Sequence, residues 1–243
     1  MTRKIEATLM VSIWRGSAAG RYETYKVPRL ASQTVLDVVT YVQRELEPSL
    51  AYRFACRVGM CGSCAMTVNG TPRWTCRTHV ARVARKGRLT IGPLANLPVV
   101  KDLAADMASF FEKWQAAKGV FKPSRTRADS LARIEPQSAM RREADAAIEC
   151  INCGVCHAAC DTVAVNKDFF GPGPLNRAWT LLNDQRDAAN QERLTALAGE
   201  GGCHACHTHT SCASLCPKAL NPTASIAGLK RTLVEAYFKG DIK

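Results

Sequence analysis

Cysteine spacing constrains this chain more than any other feature. Twelve cysteines fall into three groups: Cys56, Cys61, Cys64 and Cys76; Cys150, Cys153, Cys156 and Cys160; Cys203, Cys206, Cys212 and Cys216. With 243 residues, 47% of them hydrophobic, the chain can bury an ordinary core. It does not need the disulfide staples of a small secreted domain. Grouped cysteines in such a chain read as metal ligands.

The spacings spell two codes. The first group has the C-x4-C-x2-C…C order of a plant-type [2Fe–2S] site, with Gly59 and Gly62 allowing a tight loop around a small inorganic core. Four cysteines also suit structural zinc, but this order inside a strand-and-helix domain favours [2Fe–2S]. The second group is the C-x2-C-x2-C-x3-C run of bacterial ferredoxins, whose fourth cysteine serves the other cluster. By that logic Cys150, Cys153, Cys156 and Cys216 hold a [4Fe–4S] cluster, Cys216-Pro217 supplying the terminal C-P of the code. Cys160, Cys206 and Cys212 hold another, and three cysteines suit [3Fe–4S]. A full cubane there wants a ligand at position 209, which is His209; it is either that ligand or an exposed or supporting histidine. Cys203 is surplus, a plain thiol or, through its C-x2-C relation to Cys206, part of an alternative ligand set or a zinc site.

Formal charge is +12. The basic residues are dispersed, without a basic helix or interleaved aromatic residues that would stack bases, so a nucleic-acid partner is not expected. A solvated basic surface or docking to an acidic partner or anionic membrane surface fits better. No apolar run approaches the roughly 18–20 residues of a membrane span. Met1-Thr2-Arg3-Lys4 leads directly into a strand pattern, so the expectation is a bacterial cytoplasmic protein without a leader.

Residues 5–13 alternate as a half-buried strand, and Tyr22–Val27 returns as its hairpin partner. Thr34 and Asp37 form a capping-box variant before a helix carrying Val35, Val38, Val39, Val42 and Leu46 and ended by Pro48. Ala65–Val68, Asn69-Gly70 and Thr71–Thr75 make a second hairpin, and Arg88–Ile91 a last strand. This predicts an α+β domain over residues 1–100. From Lys101 to Lys118, Leu103, Met107, Phe110, Phe111 and Trp114 recur at helical spacing, with Trp114 as core. Residues 119–136 read as a loop. Helices are expected near 139–149, 174–184, 188–199 and 223–238, with Gly171-Pro172-Gly173-Pro174 as a rigid break. Residues 101–243 are therefore predicted to be an all-α domain.

Four segments carry a resemblance: Ser-Leu-Ala-Tyr-Arg-Phe-Ala-Cys-Arg-Val-Gly-Met-Cys-Gly-Ser-Cys (49–64), Cys-Ile-Asn-Cys-Gly-Val-Cys-His-Ala-Ala-Cys (150–160), Phe-Phe-Gly-Pro (169–172) and Cys-Pro-Lys-Ala-Leu-Asn-Pro (216–222). With them the chain resembles, nearly end to end, the iron–sulfur subunit of succinate dehydrogenase/fumarate reductase. The resemblance implies a β-grasp ferredoxin domain followed by a helical ferredoxin domain. It implies the order [2Fe–2S], [4Fe–4S], [3Fe–4S], running from an FAD-containing flavoprotein subunit to membrane quinone. Membrane anchor subunits and a place on the cytoplasmic face of the bacterial inner membrane follow from it. The flavin and the dicarboxylate site belong to other subunits, in keeping with the lack of a GxGxxG fingerprint here.

The chain departs from the family pattern in places. Asp161 stands where the family usually has proline, Thr162–Asn166 lacks the tryptophans of the succinate dehydrogenase branch, and His209 replaces an aliphatic residue. His207 and Lys230 match positions near quinone in relatives. The resemblance thus makes His207 a proton partner or hydrogen-bond donor to a quinone carbonyl, against a plain backbone-bonded histidine. It makes Lys230 a support for quinone oxygen, against a cap on an exposed helix face. Cys-Ile-Asn-Cys-Gly leans toward fumarate reductase. The rival readings are the iron–sulfur subunit of another flavoprotein oxidoreductase and a zinc protein that binds nucleic acid.

Overall fold

The computed structural model describes residues 5–242. Its strands are β1 (Ile5–Arg15), β2 (Arg21–Leu30), β3 (Ala65–Val68), β4 (Thr71–Trp74), β5 (Arg88–Gly92), β6 (Val99–Lys101) and β7 (Ala104–Ala105). Its helices are α1 (Val35–Tyr41), α2 (Val80–Val83), α3 (Ala108–Ala116), α4 (Ala139–Ile148), α5 (Val155–Ala158), α6 (Asp161–Val165), α7 (Pro172–Leu182), α8 (Asn190–Ala198), α9 (Ser211–Ser214) and α10 (Pro222–Lys239). The chain forms two compact units. One runs to Met107 and also takes Ile151–Ala159; the other takes Ala108–Cys150 and Cys160 onward.

The first unit is built on a sheet of order β2-β1-β5-β3-β4, in which β1 runs antiparallel to β2 and parallel to β5. Alternation in β1 sends Leu9, Val11 and Ile13 to one face, where they are fully buried with Val35, Val38, Val39 and Val42 of the helix that follows β2. The Thr34–Asp37 capping box is present: Asp37 N donates to Thr34 Oγ1 at 3.2 Å, and Thr34 N to Asp37 Oδ2 at 2.9 Å. After α1 the backbone widens into a π-helical stretch, Val42–Leu46. Asn69 and Gly70, both at positive φ, turn β3 into β4.

The helix expected from Lys101 begins only at Ala108. Val99–Lys101 and Ala104–Ala105 instead form a small hairpin whose turn residue, Asp102, has φ +51. Its buried carboxylate accepts from Gly16 N at 2.7 Å, Ala51 N at 2.8 Å and Arg15 Nε at 3.2 Å. These long-range bonds overrule helical periodicity, and Leu103 joins the core of the sheet. In α3 only Phe110 is buried; Trp114 is half-buried with the Arg177 guanidinium over its ring at 5.9 Å.

The second unit is helical in its described residues, around a core of Phe169, Leu175, Ala178, Leu197, Ile226, Leu229 and their neighbours. Gly171-Pro172-Gly173-Pro174 is the start of α7 rather than a break between helices. Gly171, at φ +91, is the N-cap, and the prolines lie in the first turn, where an N–H has no intrahelical partner anyway. α7 packs against α10 so closely that a Cβ on Gly228 would lie 2.5 Å from Trp179. One charged pair lies wholly inside: Arg193 Nη1 is 3.0 Å from Asp187 Oδ1, both side chains fully buried.

Candidate iron–sulfur sites

The first cysteine group is assembled within the first unit. Arg57, Gly59 and Gly62 all take positive φ, which winds the loop before β3 into a tight coil. The coil aims backbone donors at sulfur: Met60 N and Cys61 N lie 3.2 and 3.3 Å from Cys56 Sγ. Cys76 arrives on a 3-10 turn after β4. Thr75 ties this turn to the coil, its Oγ1 donating to the Cys64 carbonyl at 2.8 Å.

The electrostatics show the same gathering. Hydrogen bonds, from the Cys56 backbone first and the Ser63 side chain next, lower the Cys61 thiol to about 6. Burial first, then the Cys64 thiol, pushes Cys76 up to about 12. Cys61 thus neighbours Cys56, and Cys76 neighbours both Cys64 and Cys56. Among the described residues no three His, Cys, Asp or Glu side chains converge as they would on a single metal ion. Thiols gathered in one coil with amides aimed at sulfur fit an iron–sulfur core.

In the second group, Cys150 follows α4, its N–H donating to Ala147 O at 3.3 Å. Asn152 and Gly154 take φ +56 and +77, Gly154 caps α5, and Cys156 lies on that short helix. Asn96 Nδ2 donates to the His157 carbonyl at 3.1 Å at its far end. Cys160 is the N-cap of α6. Asp161 opens that helix, where an acidic side chain suits the positive end of the helix dipole.

The third group lies in the second unit with Cys160. Burial raises the Cys212 thiol; Thr223, 3.3 Å from its sulfur, opposes this, and the charges of Cys160 and Cys206 add to it. Cys160 and Cys206 are thus each near Cys212. Thr208 N lies 3.4 Å from Cys206 Sγ. Cys203 is fully buried in the helical core, and burial pushes its thiol up to about 11.

His207 and His209 are both exposed, their ring centroids 6.3 Å apart. Lys230, half-buried on α10, donates from Nζ to the Cys206 carbonyl at 2.8 Å. It braces the loop of the third group. Neither that bond nor the Thr223 contact is legible in helical periodicity, since both depend on how α10 lies against the loop.

A family model described as a 2Fe-2S iron-sulfur cluster binding domain matches residues 10–112, and one described as a 4Fe-4S dicluster domain matches residues 146–220. A sheet-based unit and a helical unit of ferredoxin type, bearing these cysteine groups, define a multi-centre iron–sulfur electron carrier. The fumarate reductase iron-sulfur subunit of Haemophilus influenzae is 34% identical over 213 residues, covering 84% of this chain and 82% of that one. The succinate dehydrogenase iron-sulfur subunit of Paracoccus denitrificans is 34% identical over 217 residues, covering 88% and 82%. A solved chain of the Mycobacterium smegmatis Sdh1 complex in the apo form superposes with a TM-score of 0.83 at 25% identity, covering 95% of this chain and 97% of that one. The chain belongs to the succinate dehydrogenase/fumarate reductase iron–sulfur subunit family. It is an electron-transfer subunit, and its cofactors are a [2Fe–2S], a [4Fe–4S] and a [3Fe–4S] cluster.

Proposed function

We propose that this chain relays electrons one at a time between an FAD-containing flavoprotein subunit and membrane quinone. It would do so as a peripheral protein held by membrane anchor subunits at the cytoplasmic face of the bacterial inner membrane. No helix among the described residues is long and apolar enough to cross a membrane, so attachment would fall to such anchors. In this reading Cys56, Cys61, Cys64 and Cys76 hold [2Fe–2S] in a plant-type β-grasp domain of residues 1–100. Cys150, Cys153, Cys156 and Cys216 hold [4Fe–4S], and Cys160, Cys206 and Cys212 hold [3Fe–4S], in a helical domain of residues 101–243. The β2-β1-β5-β3-β4 order, with β1 parallel to β5 and α1 over one face, supports the β-grasp assignment.

The observation that carries the reading is the coil that gathers Cys56, Cys61 and Cys64, aims the Met60 and Cys61 amides at the Cys56 sulfur and is tied by Thr75 to the turn bearing Cys76. The clusters, when bound, supply one-electron carriers in series, which divide the electron pair of a flavin into single steps. The chain's residues hold and tune them. The Met60 and Cys61 amides offset negative charge on Cys56 sulfur, which raises a reduction potential. Burial of Cys64 and Cys76 keeps water from one side of the first site. The Lys230 ammonium brings positive charge to the Cys206 loop, and His207, exposed beside it in sequence, is free to donate to a quinone carbonyl or pass it a proton.

Paramagnetic resonance of the purified complex tests the assignment. The oxidised protein should give the near-isotropic signal of a three-iron centre, and the reduced protein the signal of a two-iron centre. Cys76→Ser should alter or abolish the second signal and leave the first. A Cys76→Ser protein with an unchanged two-iron signal would overturn the ligand set.

A further inference from the structure

Two loops of this chain are built on one backbone plan, offset by 56 residues. Cys150, Cys153, Cys156 and Cys160 fall at the same intervals as Cys206, His209, Cys212 and Cys216. The conformations agree at the two positions that turn each loop. Asn152 is left-handed at φ +56, and so is its counterpart Thr208 at φ +60. Gly154 caps α5 at φ +77 and ψ −3, and Thr210 caps α9 at φ +65 and ψ −7. Helical bonds follow in parallel: Ala158 N to Gly154 O at 2.9 Å and Ala159 N to Val155 O at 3.0 Å, matched by Ser214 N to Thr210 O and Leu215 N to Ser211 O, both at 3.1 Å.

The agreement is costly to maintain. Left-handed backbone is strained for a β-branched residue, and the third group places a threonine at both left-handed positions, one on each side of His209. An unconstrained surface loop would relax. The strain is therefore held by the surrounding structure, as at functional sites generally. It sets His209 where the twin loop carries Cys153, while His207 corresponds to Ile151.

We propose that His209 is the ligand of a fourth iron at the third cluster. This rests on the reading that Cys160, Cys206 and Cys212 hold that cluster. In the reduced three-iron state the core [3Fe–4S]0 takes up one Fe2+ to give [4Fe–4S]2+, so that charge balances and no further electron is exchanged. The electron that first reduces [3Fe–4S]+ is the one the relay itself delivers. The His209 imidazole binds the incoming iron through a nitrogen lone pair and displaces water, releasing a proton if it was protonated. Imidazole is an ordinary iron ligand and replaces thiolate in some clusters. Exposure of His209 makes this corner the one open to iron in solution, so uptake is reversible by chelation.

The test uses the purified complex, reduced with dithionite, incubated with 57Fe2+, desalted and reoxidised. Iron uptake should extinguish the three-iron paramagnetic signal. In the reduced state, one 57Fe per chain should appear in the Mössbauer spectrum, with a 14N coupling in pulsed resonance. His209→Ala should keep the three-iron signal and take up no iron, and His209→Cys should convert without the nitrogen coupling. His209 is exposed, so neither variant should disturb folding. A wild type that lacks the signal on isolation while His209→Ala shows it also supports the proposal, the corner being already filled. Equal behaviour of wild type and His209→Ala, with the signal present in both, overturns it while leaving the three-cysteine reading intact. Absence of the signal from both fully loaded proteins overturns that reading, and the proposal with it.

Discussion

Gly62 lies directly against Cys153: a Cβ on Gly62 would come 2.5 Å from the Cβ of Cys153 and 2.9 Å from its Cα. The first residue is in the coil of the first cysteine group and the second in the loop of the second group, and both belong to one compact unit. Only a residue without a side chain permits this approach, and Gly62 also has φ +72. The loops of the first and second cysteine groups therefore meet at Gly62.

Gly62→Ala should thus fail in two ways, by backbone strain and by displacing Cys153. Gly70→Ala is the control, since its φ is +79 but nothing lies within 4 Å of its new Cβ. Gly70→Ala should cost about 1–2 kcal/mol of conformational strain and retain full iron. Gly62→Ala should cost more and lose iron or weaken the magnetic coupling between centres. Iron analysis and paramagnetic resonance of the two variants check this, and equal iron content with unchanged coupling would refute the contact's importance.

Lys230→Met removes the Nζ bond to the Cys206 carbonyl. A charge-assisted bond of this kind contributes about 1–3 kcal/mol, and partial exposure places it at the low end. Quinone-linked turnover should fall several-fold, while reduction of a dye that accepts electrons earlier in the relay is kept. Equal loss in both assays would mean that the substitution harms the chain as a whole.

Arg193 and Asp187 form a pair with no exposure, and Asp187 also accepts from Lys122 N at 3.1 Å and Ala189 N at 2.8 Å. Arg193→Met leaves a carboxylate buried without its partner. The expected loss is about 3–5 kcal/mol, read as an earlier midpoint in denaturant. A shift no larger than that of a surface substitution would show that water reaches the pair.

Acid sensitivity should centre on Asp102. Burial opposes ionisation of its carboxyl, but the Ala51 and Gly16 amides and the Arg15 guanidinium outweigh it and hold the carboxyl below its ordinary range. A depressed carboxylate contributes stability that is fully present above the unfolded value of about 3.9 and is lost as pH falls through the folded value. Asp102→Asn should be less stable than wild type at neutral pH, and the gap in Tm should close below about pH 4. A gap that is constant with pH would remove the carboxylate's charge from the account.

Local signals were legible where local physics decides. Alternation in Ile5–Arg15, the Thr34–Asp37 box and the Asn69-Gly70 turn each became the element they predict. The signal over Lys101–Lys118 was misleading because Asp102 is claimed by Gly16, Ala51 and Arg15, all distant in sequence. Gly171-Pro172 read as a break because proline ends a helix from within but begins one from its first turn; the difference is one of position, and position is set by packing.

Cysteine spacing by itself determined the kind of centres and the family, because ligand intervals are dictated by the size of an iron–sulfur core and survive any change in the surrounding residues. Only the tertiary structure decided what stands next to the ligands. Gly62 against Cys153, Lys230 on the Cys206 loop, Cys203 enclosed in the helical core, and the left-handed threonines around His209 all arise from segments brought together by burial. Spacing specifies which side chains can share a cluster. The packing of the chain settles which amides, charges and open corners that cluster meets.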